Sequence, residues 1–318
     1  MTTRRNFLKN TTMLAAGLGV SPLLSSSPLR SYQKEEVING KVRIAVIGVG
    51  MGCRDLQGAL TDNPWVHCVG MCDVNKVRLE EQLARFKKDF PEQTVSIKAY
   101  TDFREVLANK EIDGVIIATP DHWHPYIFAE ALKAGKAIYV EKPVGNSISE
   151  CNAMMDFQKK YKGVVTTGLW QTSQRYFRAA NEILKSGVLG DVYKVQLWLC
   201  QSTNPRPSVE DSEAPSTLDY DMWLGPAPER PFNNSRFRGW RGFWDYGGGQ
   251  QTDWGVHWID SAFDGLKALG LCDREYPDAV FSIAYKDPAS FNETPSCQTS
   301  IFQYKNFHIE WAQQVAYL

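Results

Sequence analysis

The chain has 318 residues, 43% hydrophobic, 22% charged and 12% aromatic, with a net charge of −1. That is the profile of a soluble globular protein and excludes a disordered tail, a coiled coil, a collagen-like fibre and a multi-span membrane protein. Near-neutral charge argues against nucleic acid as a partner, because phosphate binding needs a basic face, and the length suits about two domains.

Residues 2–9 carry Arg4 and Arg5 followed by Phe7, Leu8 and Lys9, and an apolar stretch from Met13 to Leu24 is broken by Gly17, Gly19 and Pro22. The stretch is shorter than the ~20 apolar residues of a spanning helix. The pattern resembles a twin-arginine export signal over residues 1–30, which places the protein outside the cytoplasm, in the periplasm. The alternative is an unstructured basic N-terminus of a cytosolic protein. Beyond residue 30 the chain has 31 basic against 36 acidic residues, a net charge of −5.

From Lys41 strands and helices alternate. Val42–Ile47 reads as a strand buried on both faces. Glycines and a helix near Arg54–Leu60 follow, then a strand at Val66–Cys72 and a charged helix at Asn75–Phe90. Asp102–Ala108 is a short helix, Gly114–Thr119 a strand and Pro125–Ala134 a helix closed by Gly135. Ala137–Val140 is a strand, Ser147 and Glu150 form a capping box for the next helix, and Val164–Gly168 is the last strand. This grammar implies an α/β fold whose residues 41–168 form a doubly wound parallel sheet.

Residues 169–318 read differently. A helix at Tyr176–Ser186 and a long strand at Val192–Ser202 precede a region, 203–240, with six prolines and little periodicity. A helix near 252–269 leads to three strand-like runs, Ala279–Tyr285, Cys297–Tyr304 and Phe307–Val315, which suggest a second α/β domain with a largely antiparallel sheet. The chain stops inside the last strand, which points to a truncated sequence. The seven cysteines include no C-x-x-C pair, so neither a disulfide framework nor a zinc site is readable.

Four clusters carry chemistry. Val-Ile-Gly48-Val-Gly50-Met51-Gly52-Cys53 follows the first strand, where a tight turn lets backbone approach a pyrophosphate. Asp73 ends the second strand 25 residues after Gly48. A carboxylate there accepts ribose hydroxyls and favours NAD over NADP, although Lys76 and Arg78 leave room for NADP; otherwise Asp73 caps the following helix. Thr119-Pro120-Asp121-His122-Trp123-His124 and Glu141-Lys142-Pro143 both sit at strand ends, on the edge where doubly wound sheets bind ligands. Thr119, Pro120, His122, His124, Glu141 and Lys142 are therefore assigned to the cofactor edge. The plainer readings are a helix cap for the first run and a surface lysine paired to Glu141 for the second. His122 and His124 lack a third ligand at metal spacing.

Lys142, beside an oxidised nicotinamide, could exchange a proton with a substrate hydroxyl. Asp253 and His257 are four apart, so a helix puts them on one face, where the carboxylate orients the imidazole as a general base. A buried histidine satisfied by its neighbour is the alternative. Trp240 and Trp244 belong to a tryptophan-rich stretch; such rings suit the C–H faces of sugars, though most are core.

The order and spacing of these motifs resemble the glucose–fructose oxidoreductase / inositol dehydrogenase (Gfo/Idh/MocA) family over about residues 41–318. The resemblance implies a Rossmann domain, a C-terminal α/β domain whose open sheet serves homo-oligomerisation, bound NAD(H) or NADP(H), and sugars, polyols or their derivatives as substrates. It makes Lys142 the catalytic lysine and Asp253 and His257 the aspartate–histidine pair. Cys53 departs from the glycine fingerprint. The implied function is hydride transfer between nicotinamide and a sugar, polyol or glycoside. The alternatives are a redox-neutral NAD-dependent glycosidase and a non-catalytic dinucleotide sensor.

Overall fold

The computed structural model describes residues 41–50, 63, 65–91, 97–201, 207–273 and 276–315. The twin-arginine segment, Met51, Gly52, Cys53 and the expected helix near Arg54–Leu60 lie outside the described residues.

β1 (Val42–Ile47) is an apolar run whose last three residues are buried, and it pairs in parallel with β2 (Val66–Cys72) and β4 (Gly114–Ile117). In register, Ile47 faces Cys72 on one side and Ile117 on the other. Three strands thus end level, and Gly48, Asp73 and Thr119 leave the sheet along one edge. β3 (Lys98–Tyr100), β5 (Ala137–Val140) and β6 (Val165–Thr167) complete a six-stranded sheet in the order β3-β2-β1-β4-β5-β6. Its helices are α1 (Lys76–Asp89), α2 (Phe103–Ala108), α3 (His124–Lys133) and α4 (Ile148–Tyr161). Asn75 caps α1 by accepting from Arg78 N, and Leu79, Gln82 and Phe86 bury its inner face. The capping box expected at Ser147 and Glu150 is formed at α4; such a cap stabilises a helix by about 1 kcal/mol.

α5 (Arg175–Lys185) and β7 (Lys194–Gln201) follow, and the proline-rich stretch holds two short helices, α6 (Tyr220–Leu224) and α7 (Asn234–Arg238). Gln251–Gly255 is a π-helical turn that runs into α8 (Val256–Ala268). β8 (Ala279–Tyr285), β9 (Cys297–Gln303) and β10 (His308–Val315) join β7 in a second sheet of order β7-β10-β9-β8. Its pairs are antiparallel except β10 with β7, which run parallel. The buried side chains of Leu266, Cys272, Tyr304, Phe307 and Ile309 form one core between α8 and this sheet.

By contact density the chain forms two compact units. Of the described residues, one holds those up to Thr119 with Ala129–Ile138 and Pro215–Glu229; the other holds Pro120–Phe128, those between Tyr139 and Ala214, and those from Arg230 onward. In the first unit the proline-rich loop is tied to the α1 entrance, with Lys76 N donating to Thr217 O at 3.0 Å and Asp219 N to Val74 O at 3.0 Å.

Candidate active site

In the first unit the glycine turn is built for close approach. Gly48 has φ +89°, and a Cβ there would fall 2.6 Å from the backbone of Ala118 and Thr119. Only glycine fits on both counts. Asp73 is buried at the end of β2. Its Oδ2 accepts from Val49 N at 3.0 Å and its Oδ1 from Asn75 N at 2.8 Å. The carboxylate therefore fastens the turn, while Asn75 serves as the helix cap. Burial raises the Asp73 pKa, opposed by Asn75 N, the Arg78 charge and Val49 N. Arg78 reaches towards Gly50, its Nη1 3.7 Å from where a Cβ would lie. The residues fit a dinucleotide: an open glycine turn, a carboxylate whose oxygens each keep a lone pair, and Thr119 at the neighbouring strand end.

In the second unit Pro120 leads into a 3-10 turn, Asp121–Trp123, all three residues of which are buried. The His122 ring lies 5.3 Å from that of Tyr246. His124, the first residue of α3, is 1% exposed, and its Nδ1 lies 2.7 Å from Pro143 O. Glu141 accepts from Tyr139 OH at 3.2 Å and from Lys142 N at 3.2 Å. The plainer reading, Lys142 paired to Glu141, is not what forms. Lys142 Nζ donates to Asp253 O at 2.8 Å and to the Asp253 carboxylate Oδ1.

Asp253 also faces Arg241, whose Nε is 3.2 Å from Oδ1. The Arg241 guanidinium lies 4.2 Å over the Trp240 ring, a cation–π contact. Trp240 is thus taken up by Arg241, whereas Trp244 is 57% exposed. The Trp244 backbone N donates to Glu293 Oε2 at 3.1 Å, and Arg230 bridges Glu293 and Asp245 at 2.8 and 2.5 Å, so the loop that presents this ring is pinned.

The expected pairing of Asp253 with His257 needs correction. Asp253 sits in the π-helical turn and His257 in α8, so the four-residue spacing does not follow α-helical geometry. The carboxylate turns to Lys142 and Arg241, and His257 Nδ1 has no hydrogen-bond partner among the described residues. His257 is 4% exposed, with the rings of Trp170 and Trp254 edge-on at 5.7 and 6.3 Å. Burial lowers its pKa to about 4, helped by the Lys142 charge and opposed by Asp253. The imidazole is neutral at neutral pH and able to accept a proton.

Three residues of this cluster escape a reading by motif. Asp121 is fully buried, and burial raises its pKa well above the carboxylate range, with Arg241 opposing and Asp253 adding to the rise. Arg241 adjoins a tryptophan that drew the attention, and Trp170 follows a strand end with no motif of its own. Among the described residues no group of three histidines, cysteines, aspartates or glutamates could hold a metal ion, and no helix is long and apolar enough to cross a membrane.

Comparison with known proteins agrees with this architecture. An α-N-acetylgalactosaminidase of Tannerella forsythia is 33% identical over 163 residues, which are 47% of this chain and 34% of that protein. An inositol 2-dehydrogenase of Salmonella typhimurium is 24% identical over 47% of this chain and 43% of its own length. The chain thus spans between a third and a half of the length of these curated relatives. The WlbA dehydrogenase from Bordetella pertussis, solved with NADH and UDP-GlcNAcA, superposes with a TM-score of 0.65 at 17% identity, covering 87% of this chain and 73% of that one. The profile of an oxidoreductase family with an NAD-binding Rossmann fold matches residues 42–169, and that of the same family's C-terminal alpha/beta domain matches 178–267. Together they take in more than half of the sequence, and the chain belongs to the Gfo/Idh/MocA oxidoreductase family.

Proposed function

We propose that the protein catalyses NAD-dependent oxidation or reduction of a sugar, polyol or glycoside. The observation that carries this reading is the bond between Lys142 and Asp253, 111 residues apart, beside a buried neutral imidazole. The Gly48–Gly50 turn, Asp73 and the Thr119 edge would hold NAD, which when bound would supply the acceptor or donor of the electron pair of a C–H bond. Lys142 places a positive charge where the substrate oxygen gains negative charge. His257 accepts the hydroxyl proton on its neutral ring, whose Nδ1 has no hydrogen-bond partner among the described residues. Asp253 holds the ammonium rather than the imidazole, so its part is to orient Lys142. Trp244 offers an exposed face to the apolar side of a sugar ring.

A second reading is a redox-neutral glycosidase, in which oxidation is transient and a leaving group is eliminated before reduction. The likeness to an α-N-acetylgalactosaminidase supports it. One experiment tests both. Purified protein is loaded with NAD and offered glucose, inositols, glucosides and N-acetylgalactosaminides in turn while the reduced-nicotinamide band is followed. A lasting band with a keto product supports the first reading. A released aglycone without net reduction supports the second. NAD binding with no response to any sugar leaves a non-catalytic sensor and removes both.

We also propose that residues 1–30 direct twin-arginine export, on the strength of Arg4, Arg5 and the interrupted apolar stretch. Arg4→Lys with Arg5→Lys keeps the charge and is expected to abolish export of a reporter fused after residue 40. Undiminished export of that variant would rule the signal out.

A further inference from the structure

The strand-end position of Thr119 to His124 assigns the run to the cofactor, yet two of its side chains turn inward. His124 is buried at the first turn of α3, and its Nδ1 meets Pro143 O at 2.7 Å. A carbonyl oxygen only accepts, so Nδ1 carries the proton and donates it, which fixes the tautomer. Pro143 directly follows Lys142. On the other side the Lys142 backbone N donates to Glu141 Oε2 at 3.2 Å. The backbone that carries Lys142 is thus gripped from both sides.

Lysine's four-carbon stem is flexible, so an anchored backbone decides where its head can rest. The 3-10 turn just ahead of His124 has an attachment of its own. The His122 ring packs 5.3 Å from Tyr246, a fully buried residue just ahead of Gly247–Gly249, and the chain then enters the π-helical turn that bears Asp253. Two residues of one short run, His122 and His124, therefore touch the approach to Asp253 and the residue that follows Lys142.

We propose that His124 is the positioning residue for Lys142, its Nδ1–H···O=C bond to Pro143 holding the Glu141-Lys142-Pro143 turn in the register at which Nζ meets Asp253. This rests on the reading of Lys142 as a catalytic group, but its geometry can be tested apart from that reading. The variants are His124→Asn, whose amide N falls near the position of Nδ1, and His124→Gln, whose amide N reaches only the position of Nε2.

The first readout needs no substrate. The protein is labelled with 15N-lysine, and the Lys142 ammonium resonance is identified by its loss in Lys142→Arg. It is expected to be visible in the wild type and in His124→Asn, and broadened away in His124→Gln. The second readout is turnover of whichever sugar answers the nicotinamide test. His124→Gln is expected to lower kcat about 100-fold with little change in KM, as a misplaced reacting group does, and His124→Asn to restore most of it. An unmoved Lys142 resonance in His124→Gln, or equal loss in the two variants, overturns the proposal. If no sugar is turned over, the proposed activity fails while the resonance still decides the positioning role.

Discussion

Replacing Lys142 with methionine is expected to lower kcat on the responding sugar about 1,000-fold, within the range lost when a group that stabilises a developing oxyanion is removed. The methionine keeps the length of the stem and removes the charge. Lys142 and Asp253 have side-chain exposures of 16% and 17%, so most of this ion pair is out of water. Removing one partner of a buried pair leaves the other charge uncompensated, which costs on the order of 3–5 kcal/mol when nothing replaces it. Here Arg241 is already 3.2 Å from the same carboxylate oxygen and softens the loss. The melting temperature is therefore expected to fall only modestly while turnover collapses. Lys142→Arg separates the two effects. A guanidinium keeps a positive charge that can pair with Asp253, but its planar fork does not put that charge where the compact ammonium meets the substrate oxygen, so this variant should regain stability without regaining kcat. If Lys142→Met kept more than about a tenth of wild-type turnover, the lysine would not be the charge that stabilises the substrate oxygen.

Much of this arrangement follows from local rules. The apolar run of β1, the glycine at a positive φ and the carboxylate at the end of β2 all obey the demands of a parallel sheet with a ligand at its edge. Ser147 and Glu150 announce their helix because a capping box is a contact between residues three apart. The centre of the candidate site is a different matter. Lys142 meets Asp253 across 111 residues, and no periodicity encodes a contact of that separation. The aspartate–histidine pairing looks plain from a spacing of four, but the chain takes a π-helical turn through Gln251–Gly255. A Cβ on Gly249 would fall 2.8 Å from Thr294 Cβ, and one on Gly255 would meet the buried Trp311 ring at 3.2 Å, so tertiary packing closes in on this turn at both ends. Packing overrides the helical face, frees Asp253 for Lys142 and leaves the imidazole between two indoles. Asp121 and Arg241 stay hidden for the same reason: each is ordinary in its local run and gains meaning only from charges brought near by the fold.

The buried imidazole makes a second prediction, in which stability and activity share one titration. The folded-state pKa of His257 is about 4, below the ordinary 6.5. Between those values the unfolded chain binds a proton that the folded chain refuses, so stability is complete above pH 6.5 and declines as pH falls towards 4. At up to 1.36 kcal/mol per unit, lowering the pH from 6.5 to 5 should remove roughly 1–2 kcal/mol through this residue alone. Replacing His257 with phenylalanine keeps a ring between Trp170 and Trp254 and should abolish that part of the slope, measured by urea unfolding at both pH values. Activity should follow the same proton: kcat/KM, which reports the free enzyme, is expected to keep its acid limb near pH 4 rather than 6.5. Because the Lys142 charge is one of the causes of the low value, Lys142→Met should raise the His257 pKa and flatten the stability slope over this interval. Equal slopes in wild type and His257→Phe would mean that the imidazole titrates normally and is not held neutral by its surroundings; an acid limb that did not respond to His257→Gln would remove it as the base.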